Sequence, residues 1–164
     1  MKIAYIYFND LTTKNANVHQ TLNMVNTFSQ NAEVTFYSSW VSKKELPSIM
    51  EFFTQEQNFR HFRVPVKLRI SSFLLEKITR LMYMDWVYFL LMTRKYDIVY
   101  TRDFSFIYFL SLIPSLFRPS QKIVYEPHKI YFKVSEKVNR KQEEKALKVP
   151  HLFIPISSGV AQDL

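Results

Sequence analysis

A carboxylate and an imidazole stand two residues apart at the end of a short apolar run. The run, residues 123–125, is Ile-Val-Tyr, which favours a buried strand, and Pro127 ends it because proline cannot donate to a sheet ladder. Glu126 and His128 are therefore predicted at the carboxyl end of that strand, the edge at which open α/β sheets bind ligands. Such a pair is suited to recognising hydroxyl groups and moving protons.

The composition is that of one globular domain. The chain has 164 residues, 48% of them hydrophobic and 22% charged, which is enough to bury a sizeable core. It contains no cysteine, which excludes a disulfide scaffold and thiolate metal sites and fits a reducing compartment. Gly159 is the single glycine, which excludes a P-loop and a glycine-rich dinucleotide fingerprint.

Positive charge is concentrated in one part of the sequence. The net charge is +8, and residues 118–148 hold nine Lys or Arg against four Glu. This surplus favours an anionic partner, either phospholipid or nucleic acid, although a solvated surface would have the same composition. The 15 Phe and 10 Tyr suit a membrane interface or, equally, a large core.

Strand-like and helix-like runs alternate along the chain. The amino-terminal run, residues 2–8, reads as a buried strand and not as a secretory signal. The pattern predicts strands at 2–8, 33–38, 62–66, 97–101 and 122–126, and helices over 18–29, 72–93, 104–117 and 135–148. Residues 9–17 are expected to form a loop, and 42–58 a loop with a short helix.

This alternation predicts a Rossmann-like, three-layer α/β/α domain with a mainly parallel sheet and right-handed crossovers. Neither long helix is expected to span a membrane, because 72–93 carries four charges and 104–117 is short and contains Pro114. After the apolar run 151–156, Ser157 and Ser158 read as a helix start. Since the chain stops soon afterwards, we expect a truncated protein or one half of a larger assembly.

Five short motifs occur in a fixed order. They are Asn17-Val18-His19, Ala32-Glu33-Val34-Thr35, the segment Tyr-Asp-Ile-Val-Tyr-Thr-Arg at 96–102, Tyr125-Glu126-Pro127-His128, and Ile156-Ser157. Together they resemble the amino-terminal domain of family 4 retaining glycosyltransferases of the GT-B type. The resemblance covers essentially the whole chain.

The resemblance implies an acceptor-binding domain, residues 1–164, whose donor-binding partner domain is absent. His128 would hydrogen-bond a sugar hydroxyl near the reacting centre, and Glu126 would orient the strand end or the acceptor. Asn17 and His19 would line the cleft, Arg102 would meet an anionic acceptor group, and the remaining substrate-binding candidates are Asp103 and Ser157. No metal and no cofactor are implied, and the donor is a nucleotide sugar used as co-substrate.

Several of these residues have simpler interpretations. His19 would equally cover the first helix, and Arg102 with Asp103 would form a local ion pair of small energy. Ser157 and Ser158 suit helix capping better than nucleophilic catalysis, because no Gly-x-Ser-x-Gly elbow surrounds them. His61 and His151 lie outside every motif and are expected to be surface or packing residues.

The leading hypothesis is the acceptor-binding half of a hexosyltransferase that builds a polysaccharide or modifies a lipid-linked acceptor, inactive as an isolated fragment. One alternative is a non-catalytic half of a split transferase that docks a separately encoded donor domain and recruits it to a membrane. The other is a basic nucleic-acid-binding module, for which no recognition motif is found in the sequence. We expect a cytoplasmic protein, peripheral on the anionic inner face of the membrane.

Overall fold

The computed structural model describes residues 1–8, 11–13, 15–38, 45–52, 58–64, 73–128 and 139–155. Strands and helices alternate along these residues, as the apolar pattern predicts. In chain order they are β1 (Lys2–Tyr7), α1 (Ala16–Ser29), β2 (Glu33–Ser38), α2 (Glu45–Phe52), β3 (Arg60–Arg63), α3 (Phe73–Thr93), β4 (Ile98–Thr101), α4 (Phe104–Leu112), β5 (Lys122–Tyr125), α5 (Arg140–Ala146) and β6 (Leu152–Phe153). Short 3₁₀ helices lie at Leu11–Thr13 and Ser115–Phe117.

The six strands of the described residues form one sheet in the order β3-β2-β1-β4-β5-β6. The strand pairs β1–β2, β2–β3, β4–β5 and β5–β6 are all parallel. Parallel neighbours require a crossover between them, and helices supply it here. The predicted Rossmann-like α/β class and the inner position of β1 are therefore confirmed.

The chain divides into two compact units, of which the first is Met1–Asp97. Its strands β1 and β2 are buried from their second residue onward, which accounts for their nearly continuous apolar sequences. The hydroxyl of Tyr83, from α3, lies 3.2 Å from the carbonyl oxygen of Tyr7 and 3.1 Å from that of Tyr37. This fully buried tyrosine thus anchors α3 at the carboxyl ends of both strands.

Helix α1 begins earlier than the polar sequence predicts. The Asn15 side chain accepts a hydrogen bond from the Val18 backbone N–H at 3.0 Å, and this cap starts the helix at Ala16. Asn17 therefore belongs to the first helical turn. The predicted loop over 9–17 extends two residues too far.

One face of α3 is apolar and exposed. The helix buries Thr79, Tyr83, Val87 and Leu91 on its inner side. Its outer side presents large apolar residues that are each 44–58% exposed: Ile78, Leu81, Met82, Trp86, Phe89 and Met92. Asp85 lies among them. Within the described residues, no helix has the length and apolar character needed to cross a membrane.

The second unit is Ile98–Leu164 and contains β4, β5 and β6. Helix α4 ends at Leu112, because Ile113 precedes Pro114 and takes an extended conformation (φ −81°, ψ 131°). The helix predicted over 104–117 is therefore wrong in its last turn, where a separate 3₁₀ helix follows. The helix predicted over 135–148 is observed as α5, and its expected start lies outside the described residues.

The third strand, Arg60–Arg63, begins two residues before its predicted start at 62, and residues 65–66 of the prediction lie outside the described residues. In the structure Arg60 pairs with Thr35 and Arg63 with Ser38 of β2. The His61 ring stacks on Phe36 with 5.5 Å between centroids, and its Nε2 lies 2.7 Å from the Ser38 hydroxyl. This strand therefore has a polar sequence, and it is stabilised by the contacts of His61 with Phe36 and Ser38, which a hydropathy pattern does not reveal.

The described helix ends whose caps are known make no use of glycine. Gln30 ends α1 and Leu147 ends α5, both in the right-handed helical region, while α4 ends at the extended Ile113. None of these three positions needs the left-handed conformation that favours glycine. The chain accordingly manages with a single glycine.

Candidate functional site

The candidate site is a buried polar cluster at the carboxyl ends of β4 and β5. The two strands are parallel, with Tyr100 opposite Val124 and Thr101 opposite Tyr125. The Glu126 N–H donates to the Thr101 carbonyl at 3.0 Å, so the ladder continues just beyond the strands. Arg102 and Glu126 consequently lie side by side at the same edge of the sheet.

Strand geometry places four polar side chains on one face. Alternate residues of a strand point to the same side, which groups Tyr100 with Arg102 and Glu126 with His128. Their side chains are in contact. Arg102 Nε lies 3.1 Å from Glu126 Oε1, Arg102 Nη2 lies 3.1 Å from His128 Nδ1, and the Tyr100 hydroxyl donates to Glu126 Oε2.

The cluster is strongly shielded from water at its base. Tyr100 is 3% exposed, Arg102 6% and Glu126 3%, whereas His128 is half-buried. A buried carboxylate and guanidinium are tolerated only when paired and hydrogen-bonded, and both Glu126 oxygens have partners here. The charges of Arg102 and Glu126 balance each other, and this buried ion pair supports the imidazole of His128.

Asp103 has a structural function at the same edge. Its Oδ1 accepts from the Ser105 N–H at 2.9 Å and caps α4, while its own N–H donates to the Thr101 hydroxyl at 3.0 Å. Arg102 pairs with Glu126 across the strands, and the simpler interpretation of a local Arg102–Asp103 ion pair stays a prediction. A substrate-binding role of Asp103 stays a prediction.

Asn17 and His19 lie in the first unit, on the exposed side of α1. The His19 N–H donates to the Asn15 carbonyl at 3.1 Å within the first helical turn. His19 Nε2 lies 3.2 Å from Asn23 Nδ2, one turn along the same helix. Their convergence with the cluster of the second unit stays a prediction, and Ser157 lies outside the described residues.

The other two histidines make local contacts. His61 packs within the first unit, as described above. His151 is exposed, and its Nδ1 accepts from the Ile123 N–H at 3.1 Å near the amino end of β5. Within the described residues, no group of three or more His, Cys, Asp or Glu side chains is arranged to hold a metal ion.

The sequence analysis missed Tyr100 as a member of the cluster. Its hydroxyl occupies the second oxygen of Glu126. The signal was available, since Tyr100 precedes Arg102 by two residues and therefore shares its face of the strand.

The architecture is that of one Rossmann-like half of a GT-B-type fold. The structure is similar to a putative UDP-N-acetylglucosamine 2-epimerase from Listeria monocytogenes, with a TM-score of 0.61 and 12% sequence identity. The match covers 99% of this chain and 41% of that protein, so the chain spans less than half of the length of its neighbour. No protein-family profile and no curated protein sequence matches the chain. At this identity the likeness shows the fold.

Proposed function

We propose that the chain is the acceptor-binding half of a GT-B-type glycosyltransferase. It would position a glycan or lipid-linked acceptor for transfer of a sugar from a nucleotide-sugar donor. Two independent features support the proposal: the fold shared with half of a sugar-nucleotide enzyme, and the five ordered motifs that resemble family 4 retaining glycosyltransferases. The donor would be held by a second domain, in cis or in trans.

The observation that carries the proposal is the polar cluster at the carboxyl ends of β4 and β5. This is the edge at which open α/β sheets bind their ligands. Arg102 Nε lies 3.1 Å from Glu126 Oε1, and this buried ion pair fixes the positions of both side chains. Arg102 in turn contacts the half-buried His128. A held imidazole can recognise hydroxyl groups, which are the reacting groups of a sugar acceptor.

The residues would divide the work according to their exposure. His128 would contact a sugar hydroxyl, and Glu126 would orient the strand end from beneath it, because both of its oxygens are already occupied. Asn17 and His19 would line the cleft from α1, as the resemblance implies. Holding the acceptor hydroxyl in place supplies the proximity on which transfer depends.

A second candidate is a non-catalytic half that recruits a donor domain to a membrane. The exposed apolar face of α3 favours this candidate, since six large apolar side chains there are each 44–58% exposed to solvent. The two candidates differ in whether the polar cluster binds a saccharide.

Saccharide binding by the purified 164-residue protein tests the proposal. Saturation-transfer NMR with free oligosaccharides and with short-chain prenyl-phosphate-linked hexoses should reveal at least one binder. His128→Ala should weaken that binding about tenfold or more, because His128 is half-buried and its loss removes a hydrogen bond between uncharged groups. His151→Ala is the matched control and should bind normally, because His151 lies at the amino end of β5.

Calorimetry with UDP- and GDP-sugars complements this test. The isolated chain should show no saturable binding, because the domain proposed to hold the donor is not part of it. Tight binding of a sugar nucleotide would contradict the assignment as an acceptor half. Saccharide binding that is equal in His128→Ala and in the unaltered protein would contradict the site.

A further inference from the structure

We propose that Arg102 is a positioning residue that holds His128 as a neutral imidazole with its proton on Nε2. In this form His128 donates a hydrogen bond to a hydroxyl oxygen of the substrate and does not act as a proton-accepting base at Nδ1. The saccharide as substrate rests on the proposed function above. The position of the proton is a property of the chain alone.

The first step follows from the chemistry of the contact. A guanidinium group carries only N–H donors, so it cannot accept a hydrogen bond. The 3.1 Å contact between Arg102 Nη2 and His128 Nδ1 is therefore made with Nδ1 as the acceptor. A neutral imidazole with an accepting Nδ1 carries its proton on Nε2.

The second step concerns what holds Arg102 in place. Its Nε is paired with Glu126 Oε1 at 3.1 Å, and Tyr100 donates to the other oxygen of the same carboxylate. All three side chains are at most 6% exposed, so separating the ion pair would leave a buried charge uncompensated. The guanidinium is thus directed toward His128 by groups that are themselves fixed, as carboxylates direct histidine rings at metal sites.

The third step identifies the kind of ligand. The carboxylate of Glu126 balances the guanidinium of Arg102, and the imidazole above them is neutral, so the cluster offers no unbalanced positive charge to an anion. An uncharged oxygen acceptor fits such a donor better than a phosphate does. The role that the resemblance implies, in which Arg102 itself meets an anionic acceptor group, stays a prediction, and the two ligands used below distinguish it from this proposal.

The protonation state can be observed directly by NMR. In protein labelled with ¹⁵N-histidine and ¹⁵N-arginine at mildly alkaline pH, the His128 signals are assigned by their loss in His128→Gln. We expect a pyridine-type Nδ1, a protonated Nε2, and a coupling through the hydrogen bond from Arg102 Nη2 to Nδ1. A protonated Nδ1 in the unaltered protein would overturn the proposal.

Variants separate positioning from general stability. Arg102→Met should abolish the coupling and shift the Nδ1 resonance downfield toward that of an unbonded nitrogen. Arg140→Met is the control, since Arg140 pairs with Glu144 at an exposed site, and it should leave the His128 signals unchanged. If Arg102→Met does not fold, the coupling in the unaltered protein decides alone, and its absence overturns the proposal.

Two simple ligands test the donor role. Titration with a methyl hexoside should perturb the His128 Nε2–H resonance more than inorganic phosphate does. A larger effect of phosphate, or no effect of either ligand, would overturn the donor assignment. The tautomer experiment needs no ligand, so its outcome is independent of whether the chain serves a glycosyltransferase.

Discussion

The Arg102 guanidinium and the Glu126 carboxylate form an ion pair that is almost completely shielded from water. Removing one partner of a buried pair costs about 3–5 kcal/mol, because the remaining charge is left uncompensated. We therefore expect Glu126→Gln to lower the free energy of unfolding by about 3 kcal/mol, toward the smaller end because the amide keeps one acceptor. Urea denaturation measures this change.

Glu144→Gln provides the matched comparison. Glu144 pairs with Arg140 at 2.8 Å, but both side chains are more than half exposed, so the loss should stay below about 0.5 kcal/mol. In a double variant, Arg102→Met with Glu126→Gln, the cost should be clearly less than the two single costs added together. Additive losses would show that the pair is not coupled as described.

Tyr37 gives the first unit a measurable pH dependence. Burial raises the pKa of the Tyr37 phenol well above its ordinary value of 10.0, and the hydrogen bond to the Tyr96 hydroxyl raises it further. The unfolded chain ionises at the ordinary value. The stabilisation is therefore present below about pH 10 and is lost as the pH rises toward the folded-state value.

We expect Tyr37→Phe to remove this contribution. Urea denaturation in steps from neutral to strongly alkaline pH should show a steeper loss of stability above about pH 10 in the unaltered protein than in the variant. The other ionisable groups are common to both proteins, so the difference between the two slopes reports on Tyr37. Identical slopes for the two proteins would contradict the assignment to Tyr37.

The sequence predicted where part of the polar cluster lies because two simple rules apply there. Pro127 ends an apolar strand, which puts Glu126 and His128 at the ligand-binding edge, and parallel pairing brings Arg102 beside them. The sequence did not show which charged side chains form the ion pair. Arg102 is next to Asp103 in the chain, yet it pairs with Glu126, which is 24 positions away but one strand across. Such a pairing is decided by register.

At the scale of the elements, α4 depends on its amino-terminal cap. The Asp103 carboxylate accepts from the Ser105 N–H at 2.9 Å and satisfies one of the free donors of the first turn. Asp103→Ala should cost about 1 kcal/mol of stability, whereas Asp103→Asn keeps the cap and should cost a few tenths. Chemical denaturation distinguishes them, and equal losses would argue against capping.

Element boundaries followed local chemistry more closely than hydropathy. The strands over 2–8, 33–38, 97–101 and 122–126 were predicted to within about one residue, because long apolar runs leave little choice of register. The errors lie where a single side chain decides: the Asn15 cap starts α1 early, and Pro114 ends α4. β3 was displaced because stacking of His61 on Phe36 stabilises a strand that looks polar.

At the scale of the whole molecule, the exposed face of α3 and the net charge of +8 favour contact with an anionic membrane surface. The six side chains present on the order of 600 Å² of apolar surface, at the upper end for a monomer. We expect the protein to co-sediment with anionic vesicles at low salt and to be released as salt screens its charge. Asp85, within the same face, would keep the contact shallow.

Variants identify the surface responsible. Trp86→Ser with Phe89→Ser should lower the affinity for vesicles by more than about a hundredfold, because each buried aromatic side chain contributes about 2 kcal/mol. Leu112→Ser is the control, as Leu112 is exposed to the same extent (55%) but lies on α4. Negligible binding to neutral and anionic vesicles alike would rule out the membrane surface as partner.

Helix ends without glycine have a consequence for the denatured ensemble. A chain of this length with average composition would contain about eleven glycines, and this one contains a single glycine and seven prolines. Where another residue takes the place of a glycine without strain, the unfolded chain has less backbone entropy to lose, and the folded state is stabilised by about 0.4–1 kcal/mol. The stiffness of the disordered chain thus stabilises the native state by an amount on the order of several kcal/mol, through a contribution that no native contact reveals.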